Sequence, residues 1–416
     1  MHEYRAFAFT RNFLPWSSER KMRCRHRFAL YLRRLCYHLP VCLVMIAVPL
    51  FGQRPELPQS PQVQPDGRVT FRFLDPGAKQ VQLVLEGTPG TQSMEKTSDG
   101  VWSITVGPLE PEYYGYVFRA DGVPLLDPSN PKIEPNLLQL RNVLHVPGKT
   151  PEPWEEQDVP HGIVHHHFYK SGIIGDQRDF LVYTPPGYDP RGRKRYPVLY
   201  LLHGFAFNAS SWTLVGRANF ILDNLIAQGK ARPMIVVMPF GDGVPEIVSE
   251  NGPALRGPAL WQRNYDLFTQ SLLKEVIPQV ESMYLVLQDR KDRAIAGQSM
   301  GGAETLLTGL NHLNTFGWVG AFSPGGVRPN YAAEFPLLVQ GASAKESSSG
   351  TSAAPLHLLW ISCGTEDGLI ASNRRLVAWI KSQHVPVMSI ETPGMHTWMV
   401  WRNNLVHFAP LLFQSK

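Results

Sequence analysis

Cysteine is scarce in this chain of 416 residues. It has four, and Cys24, Cys36 and Cys42 all lie near the start, leaving Cys363 alone in the remainder. A single thiol excludes an internal disulfide framework and any paired-cysteine metal site. Cys363 closes an apolar strand-like run and reads as a buried small apolar residue rather than a nucleophile. Long hydrophobic runs are also missing. The apolar stretch at 39–51 ("LPVCLVMIAVPLF") is too short to span a bilayer comfortably. No glycine-rich dinucleotide fingerprint, phosphate-cradling loop or repeat of about 20–50 residues is visible. Neither an organic cofactor nor a metal is expected.

The apparent excess of positive charge belongs to the first residues. The chain carries 40 Lys+Arg and 35 Asp+Glu; nine of the former and two of the latter fall in residues 1–52, leaving 31 against 33. A nucleic-acid surface is therefore not expected. A basic segment at 20–34 followed by the apolar run reads as a secretory signal peptide, cleaved near Gly52–Gln53. Met22 is an alternative initiator, and an uncleaved N-terminal anchor is the competing reading. Cleavage would leave a secreted or periplasmic protein with no stable membrane insertion.

Residues 53–67, rich in Pro and Gln, read as a linker. From 68 to 148 short alternating strands follow, among them "VTFRF", "VQLVLEG" and "YYGYVFRADG", with no helical period. This predicts a small all-β, immunoglobulin-like sandwich. Trp102 and Tyr116 are either core residues or a platform on which a sugar stacks. Residues 149–160 ("EPWEEQDVP" and its flanks) read as a second linker. Beyond it, from 161 to 416, uniformly apolar strands alternate with amphipathic helices, the pattern of a mostly parallel sheet covered on both faces. The Ser/Ala/Gly-rich stretch 341–355 reads as a surface loop.

"RAIAGQSMGGAETLL" places Ser299 where a strand turns directly into a helix, with Gly297 and Gly301 on either side. Such a turn is sharp, and side chains at the two glycines would strike the neighbouring strand and helix. The result is a nucleophile elbow of the α/β-hydrolase fold. A serine needs a base, and the base needs an orienting acid. The fold orders them Ser, Asp/Glu, His, each after a later strand. Asp367 follows "LHLLWISCG", with Glu366 as its competitor, and His396 follows "VPVMSIET". The oxyanion donors expected are the backbone N–H groups of Met300 and Phe205. His203 reads as a structural loop residue. His165–His167 lie in an alternating stretch that sends neighbours to opposite faces, so they do not form a metal set.

"YTPPGYDP", "YPVLYLLHG", "AIAGQSMGG", "CGTEDG" and "GMHTWMVWRNNLVHFAPLLF" together resemble the secreted esterases of the feruloyl esterase and enterochelin esterase type. The resemblance covers residues 160–413. Residues 68–147 are similar to glycogen-binding-type carbohydrate modules. The resemblance implies hydrolysis of carboxylic esters with Ser299 as nucleophile, His396 as base and Asp367 as acid. It points to feruloyl or acetyl esters on plant cell-wall polysaccharide, with polysaccharide contact through the sandwich. The stretch 240–264 departs from the family pattern and is expected to border the acyl pocket. Three other readings stay open: a siderophore esterase, an acyltransferase with the same three side chains, and an inactive carbohydrate-binding protein.

Overall fold

The computed structural model describes residues 56–249, 256–339 and 355–414. The leader and cleavage site lie outside the described residues, as does nearly all of the 341–355 stretch. Among the described residues no helix is long and apolar enough to cross a membrane.

The N-terminal layer is built from ten short strands: β1 (Gln62–Val63), β2 (Val69–Leu74), β3 (Val81–Leu85), β4 (Gln92–Ser93), β5 (Glu95–Lys96), β6 (Val101–Val106), β7 (Glu112–Ala120), β8 (Val123–Leu125), β9 (Ile133–Glu134) and β10 (Arg141–Val146). One sheet runs β1-β2-β6-β5 and the other β4-β3-β7-β10-β9, with β8 against β7. Every second residue of β3 and β10 is buried, the period of two that turns one face of a strand to a core. Phe71, Phe73, Leu83, Phe118 and Leu144 fill the space between the sheets. Trp102 and Tyr116 belong to that core, with 6% and 0% of their surface exposed. Trp102 donates its indole N–H to the Asp75 carbonyl and Tyr116 its hydroxyl to Asp127. Neither presents a free ring face for stacking.

The C-terminal layer is one sheet of eight strands: β11 (Ile163–Lys170), β12 (Gln177–Thr184), β13 (Val198–Leu202), β14 (Ile235–Pro239), β15 (Arg293–Gln298), β16 (Trp318–Phe322), β17 (Leu358–Gly364) and β18 (Met388–Thr392). Their order is β11-β12-β14-β13-β15-β16-β17-β18. The pairings from β14 to β18 are parallel, and β11 and β12 join antiparallel at one edge. β13 to β16 are buried along their whole length. Helices α1 (Ala218–Ala227), α2 (Pro258–Ser271), α3 (Met300–Gly309), α4 (Ile370–Ser382) and α5 (Trp398–Phe408) connect or cover them. α2 starts at Pro258, whose place in the first turn costs no hydrogen bond.

Both segments read as linkers are packed structure. Ser60 hydrogen-bonds Asp127 at 2.6 Å, and β1 pairs with β2. Trp154 is buried in the core of the C-terminal layer, and the Asn224 side chain donates to the carbonyls of Pro153 and Glu155. Proline and polar residues suggest a free tether; here they lie along surfaces that satisfy their carbonyls through side-chain donors. The two layers form one compact unit from Leu57 onward.

Helix α5 is the principal joint. Arg402, fully buried, pairs with Glu112 at 2.9 Å and donates to the carbonyls of Tyr113 and Val215. Met399 packs against the sandwich core. Burial pushes the Glu112 carboxyl up despite the guanidinium. Asp242 and Glu304 are both buried, and both Asp242 carboxylate oxygens and Glu304 Oε2 have no partner in the protein. Desolvation pushes Asp242 up to about 7 and Glu304 well above the carboxylate range.

Two outcomes follow from these buried charges. Arg402→Ala should cost about 3–5 kcal/mol by leaving Glu112 buried and alone, read as a lower midpoint in chemical denaturation. Asp242 is protonated in the fold below about pH 7 and ionised in the unfolded chain above about pH 4, so it withdraws stability as pH rises between those values. Asp242→Asn should therefore be more stable than the parent above pH 8, by on the order of 1–3 kcal/mol, with the difference vanishing below about pH 4.

Candidate active site

Ser299 stands between β15 and α3 with φ 55° and ψ −117°. A non-glycine residue rarely adopts positive φ, and holding it there costs about 1–3 kcal/mol. The surroundings impose it. A Cβ on Gly297 would lie 2.5 Å from the Gly301 carbonyl oxygen. One on Gly301 would lie 2.4 Å from the carbonyl oxygen of His203, at the end of β13. Only glycine lets α3 start this close to the sheet. The Ser299 N–H is anchored to the Phe322 carbonyl of β16 at 2.9 Å. The backbone geometry thus aims the hydroxyl outward from the strand–helix turn.

His396 lies in the loop between β18 and α5. Its Nε2 is 2.9 Å from Ser299 Oγ, and its Nδ1 is 2.7 Å from Asp367 Oδ2. The ring stands edge-on to Trp401, 4.9 Å between centroids. Asp367 is in the turn after β17, its side chain fully buried, and its other oxygen accepts the Leu369 N–H. Glu366 points to solvent instead. Burial alone would raise the Asp367 carboxyl, but the His396 hydrogen bond and charge and the Leu369 N–H hold it below the usual range. An ionised Asp367 fixes the proton on Nδ1, which leaves the Nε2 lone pair facing the serine hydroxyl. The arrangement can draw a proton from Ser299 and hand it on.

Phe205 and Met300 line one cavity together with Ser299. Met300 holds the first position of α3, where a helix leaves its N–H groups without intrahelical partners. Phe205 lies in the turn after β13, followed by Ala206 at φ 64°. The Leu137 N–H, from the sandwich, donates to the Ala206 carbonyl at 2.7 Å. His203 is buried, and its Nε2 accepts the Gly241 N–H at 2.8 Å. Desolvation lowers it to about 4, so it stays neutral and braces the loop.

Two cavities meet at the serine. One, of about 410 Å³, is walled by Phe205, Trp261, Tyr265, Met300 and Leu307, with Arg256 at 4.8 Å over the Phe205 ring. Of the stretch expected to border an acyl pocket, Arg256, Pro258, Trp261 and Gln262 line this cavity; residues 250–255 lie outside the described residues. The other, of about 360 Å³, is shared by Ser299, Gln298 and His396 with the sandwich residues Glu134 and Arg141. The sandwich contribution escaped the sequence reading. Its residues are more than 150 positions from the serine, and no local pattern marks them.

The remaining candidates take other places. His165 approaches Thr184, His166 pairs with Asp179, and His167 contacts Tyr284. Among the described residues no group of three His, Cys, Asp or Glu lies within metal-binding reach. Cys363 is buried, and burial pushes its thiol up to about 12.

With this geometry in hand, comparison with known proteins is informative. Residues 171–412 match the family model "Putative esterase". The chain is 30% identical over 362 residues to an endo-1,4-beta-xylanase/feruloyl esterase of Xylanibacter ruminicola, covering 85% of this chain and 46% of that protein. It thus spans about half the length of that curated relative. A ferulic acid esterase from Anaeromyces mucronatus superposes with TM-score 0.53 at 24% identity, over 64% of this chain and 96% of that one. The enterobactin esterase of Shigella flexneri superposes with TM-score 0.60 at 19% identity, over 85% of this chain and 96% of that one. These two likenesses establish the α/β-hydrolase fold, and the second extends beyond the hydrolase layer. A family model matching more than half of its length means that the chain belongs to the esterase family.

Proposed function

We propose that the protein is a serine carboxylic ester hydrolase acting on feruloyl or acetyl esters of plant cell-wall polysaccharide. The observation that carries this reading is the continuous hydrogen-bond line from Asp367 through His396 to Ser299, 2.7 Å and 2.9 Å long. Ser299 Oγ attacks the acyl carbon while His396 Nε2 takes its proton. The negative charge that develops on the carbonyl oxygen is held by the N–H groups of Phe205 and Met300; one such donor typically contributes about 3–4 kcal/mol to the transition state. His396 then protonates the leaving alcohol. A water activated by the same nitrogen hydrolyses the acyl-enzyme and releases the acid. Asp367 keeps the imidazole in the required tautomer throughout.

The aromatic cavity suits the acyl half. Phe205, Trp261 and Tyr265 line it with aromatic surface suited to a phenolic acid, and the Tyr265 hydroxyl is buried there with no partner in the protein. The relative from Xylanibacter ruminicola, named for xylanase and feruloyl esterase activity, supports the same choice. A basic and then apolar start to the chain supports export to the periplasm or medium.

Ser299→Ala should lower turnover of p-nitrophenyl acetate by about four to six orders of magnitude with an unchanged thermal midpoint. Ordinary turnover by that folded variant removes the assignment. A panel of methyl ferulate, acetylated xylan and a catecholate siderophore lactone should give hydrolysis of the first two only. Preferential cleavage of the lactone would redirect the reading to siderophore esters. Partition of the acyl group to an added alcohol in preference to water would redirect it to acyl transfer.

A further inference from the structure

The cavity on the sandwich side of Ser299 is not accounted for by the three hydrogen-bonded side chains or by the aromatic pocket. We infer that it is the subsite for the alcohol half of the ester and that its polar lining, Glu134, Asn136, Gln139 and Arg141, recognises a neutral, hydroxyl-rich sugar ring. The inference rests on the serine esterase reading above, because it needs Ser299 as the point where acyl and alcohol halves part.

Three observations converge. First, the cavity of about 360 Å³ opens directly from the reacting groups: Ser299 and His396 line it together with residues of the sandwich. An ester whose acyl group fills the aromatic cavity must direct its alcohol elsewhere, and this is the other cavity that reaches the serine. Second, polar atoms are buried in this wall without partners in the protein. Glu134, 3% exposed, has an Oε2 with none. Gln298, fully buried beside the serine, has neither end of its amide paired. Glu134 and Gln298 thus set polar groups behind the wall that borders the serine, beneath the more exposed polar side chains at the opening. Third, polar side chains stand around the opening, beside the exposed Leu138. Arg141, Gln139 and the Asn136 amide nitrogen are half-buried around the opening, while the Asn136 oxygen is already used to hold its own turn.

The chemistry of this lining selects among alcohols. Each sugar hydroxyl both donates and accepts, and carboxyl, amide and guanidinium groups offer donors and acceptors in fixed planes that match neighbouring hydroxyls. A plain alkyl alcohol would leave those groups unpaired, and a site built around hydrogen bonds rejects a partner that cannot make them. An anionic catecholate would meet two carboxyl groups, Glu86 and Glu134, against the one guanidinium of Arg141. Glu86 is itself committed, accepting the N–H groups of Trp398 and Gly115. The wall is also held in place. The Leu137 N–H on Ala206 ties this sandwich loop to the loop carrying Phe205. Sugar contact by the sandwich thus passes through the active-site cleft, not through Trp102 and Tyr116, which are core.

The test uses the full chain and two esters of one acid, methyl ferulate and a feruloyl pentoside. The parent protein should favour the pentoside in kcat/KM by at least tenfold. Arg141→Ala and Gln139→Ala should each lower the pentoside-to-methyl ratio by about tenfold. Should Arg141→Ala not fold, Gln139→Ala and binding of the free pentoside to Ser299→Ala by calorimetry carry the test. A parent ratio near one, with methyl ferulate turned over, overturns the sugar subsite and leaves the esterase reading intact. A ratio unmoved by both substitutions does the same. Turnover of neither ester, with the protein folded, overturns both.

Discussion

The site depends on how closely helix α3 can approach the sheet. Gly297 and Gly301 give up their side chains so that the helix starts against β13 and β15, where any Cβ would meet backbone within 2.5 Å. That contact forces the left-handed backbone of Ser299, and the forced backbone presents the hydroxyl. The same contact puts the first N–H groups of α3 beside the serine and turns the loop after β13 toward it. A hydrophobic sheet buried on both faces supplies the stiffness to hold such strain. The presented serine, the helix terminus and the facing loop are therefore consequences of one packing constraint.

Much of this could be read from residue order. A strand–serine–helix junction is local, so a pentapeptide with its flanks reveals it. Asp367 and His396 are distant in sequence, but each follows an apolar strand, and strand ends of a parallel sheet share one rim. The choice between Asp367 and Glu366 was decided by burial, which a run of adjacent acids does not display. Other features were less legible. Residues 57–67 and 149–160 have the composition of tethers, yet pair with β2 and pack Trp154 into the core. Composition reports on flexibility only when no neighbour supplies hydrogen bonds, and that depends on tertiary structure.

The two layers are less separable than their sequence patterns imply. Arg402 crosses the joint with an ion pair to Glu112 and two bonds to carbonyls on opposite sides. A buried guanidinium of this kind contributes little net stability against an apolar alternative, but it tolerates few other arrangements. It fixes the orientation of α5, and α5 in turn carries the Trp401 ring against which His396 stands. The sandwich thereby reaches the imidazole through the helix and the serine through the shared cavity wall.

The hydrogen bond from Leu137 to Ala206 has a consequence for how such proteins diversify. A module attached by a slack tether can be exchanged by recombination without disturbing its neighbour. Here the sandwich braces the very turn that carries Phe205, so a foreign module would arrive without the matching backbone donor. The pair is thus expected to be inherited as a single cassette. New specificities would then arise by substitution and loop-length change within residues 135–141 rather than by swapping one ancestral unit for another.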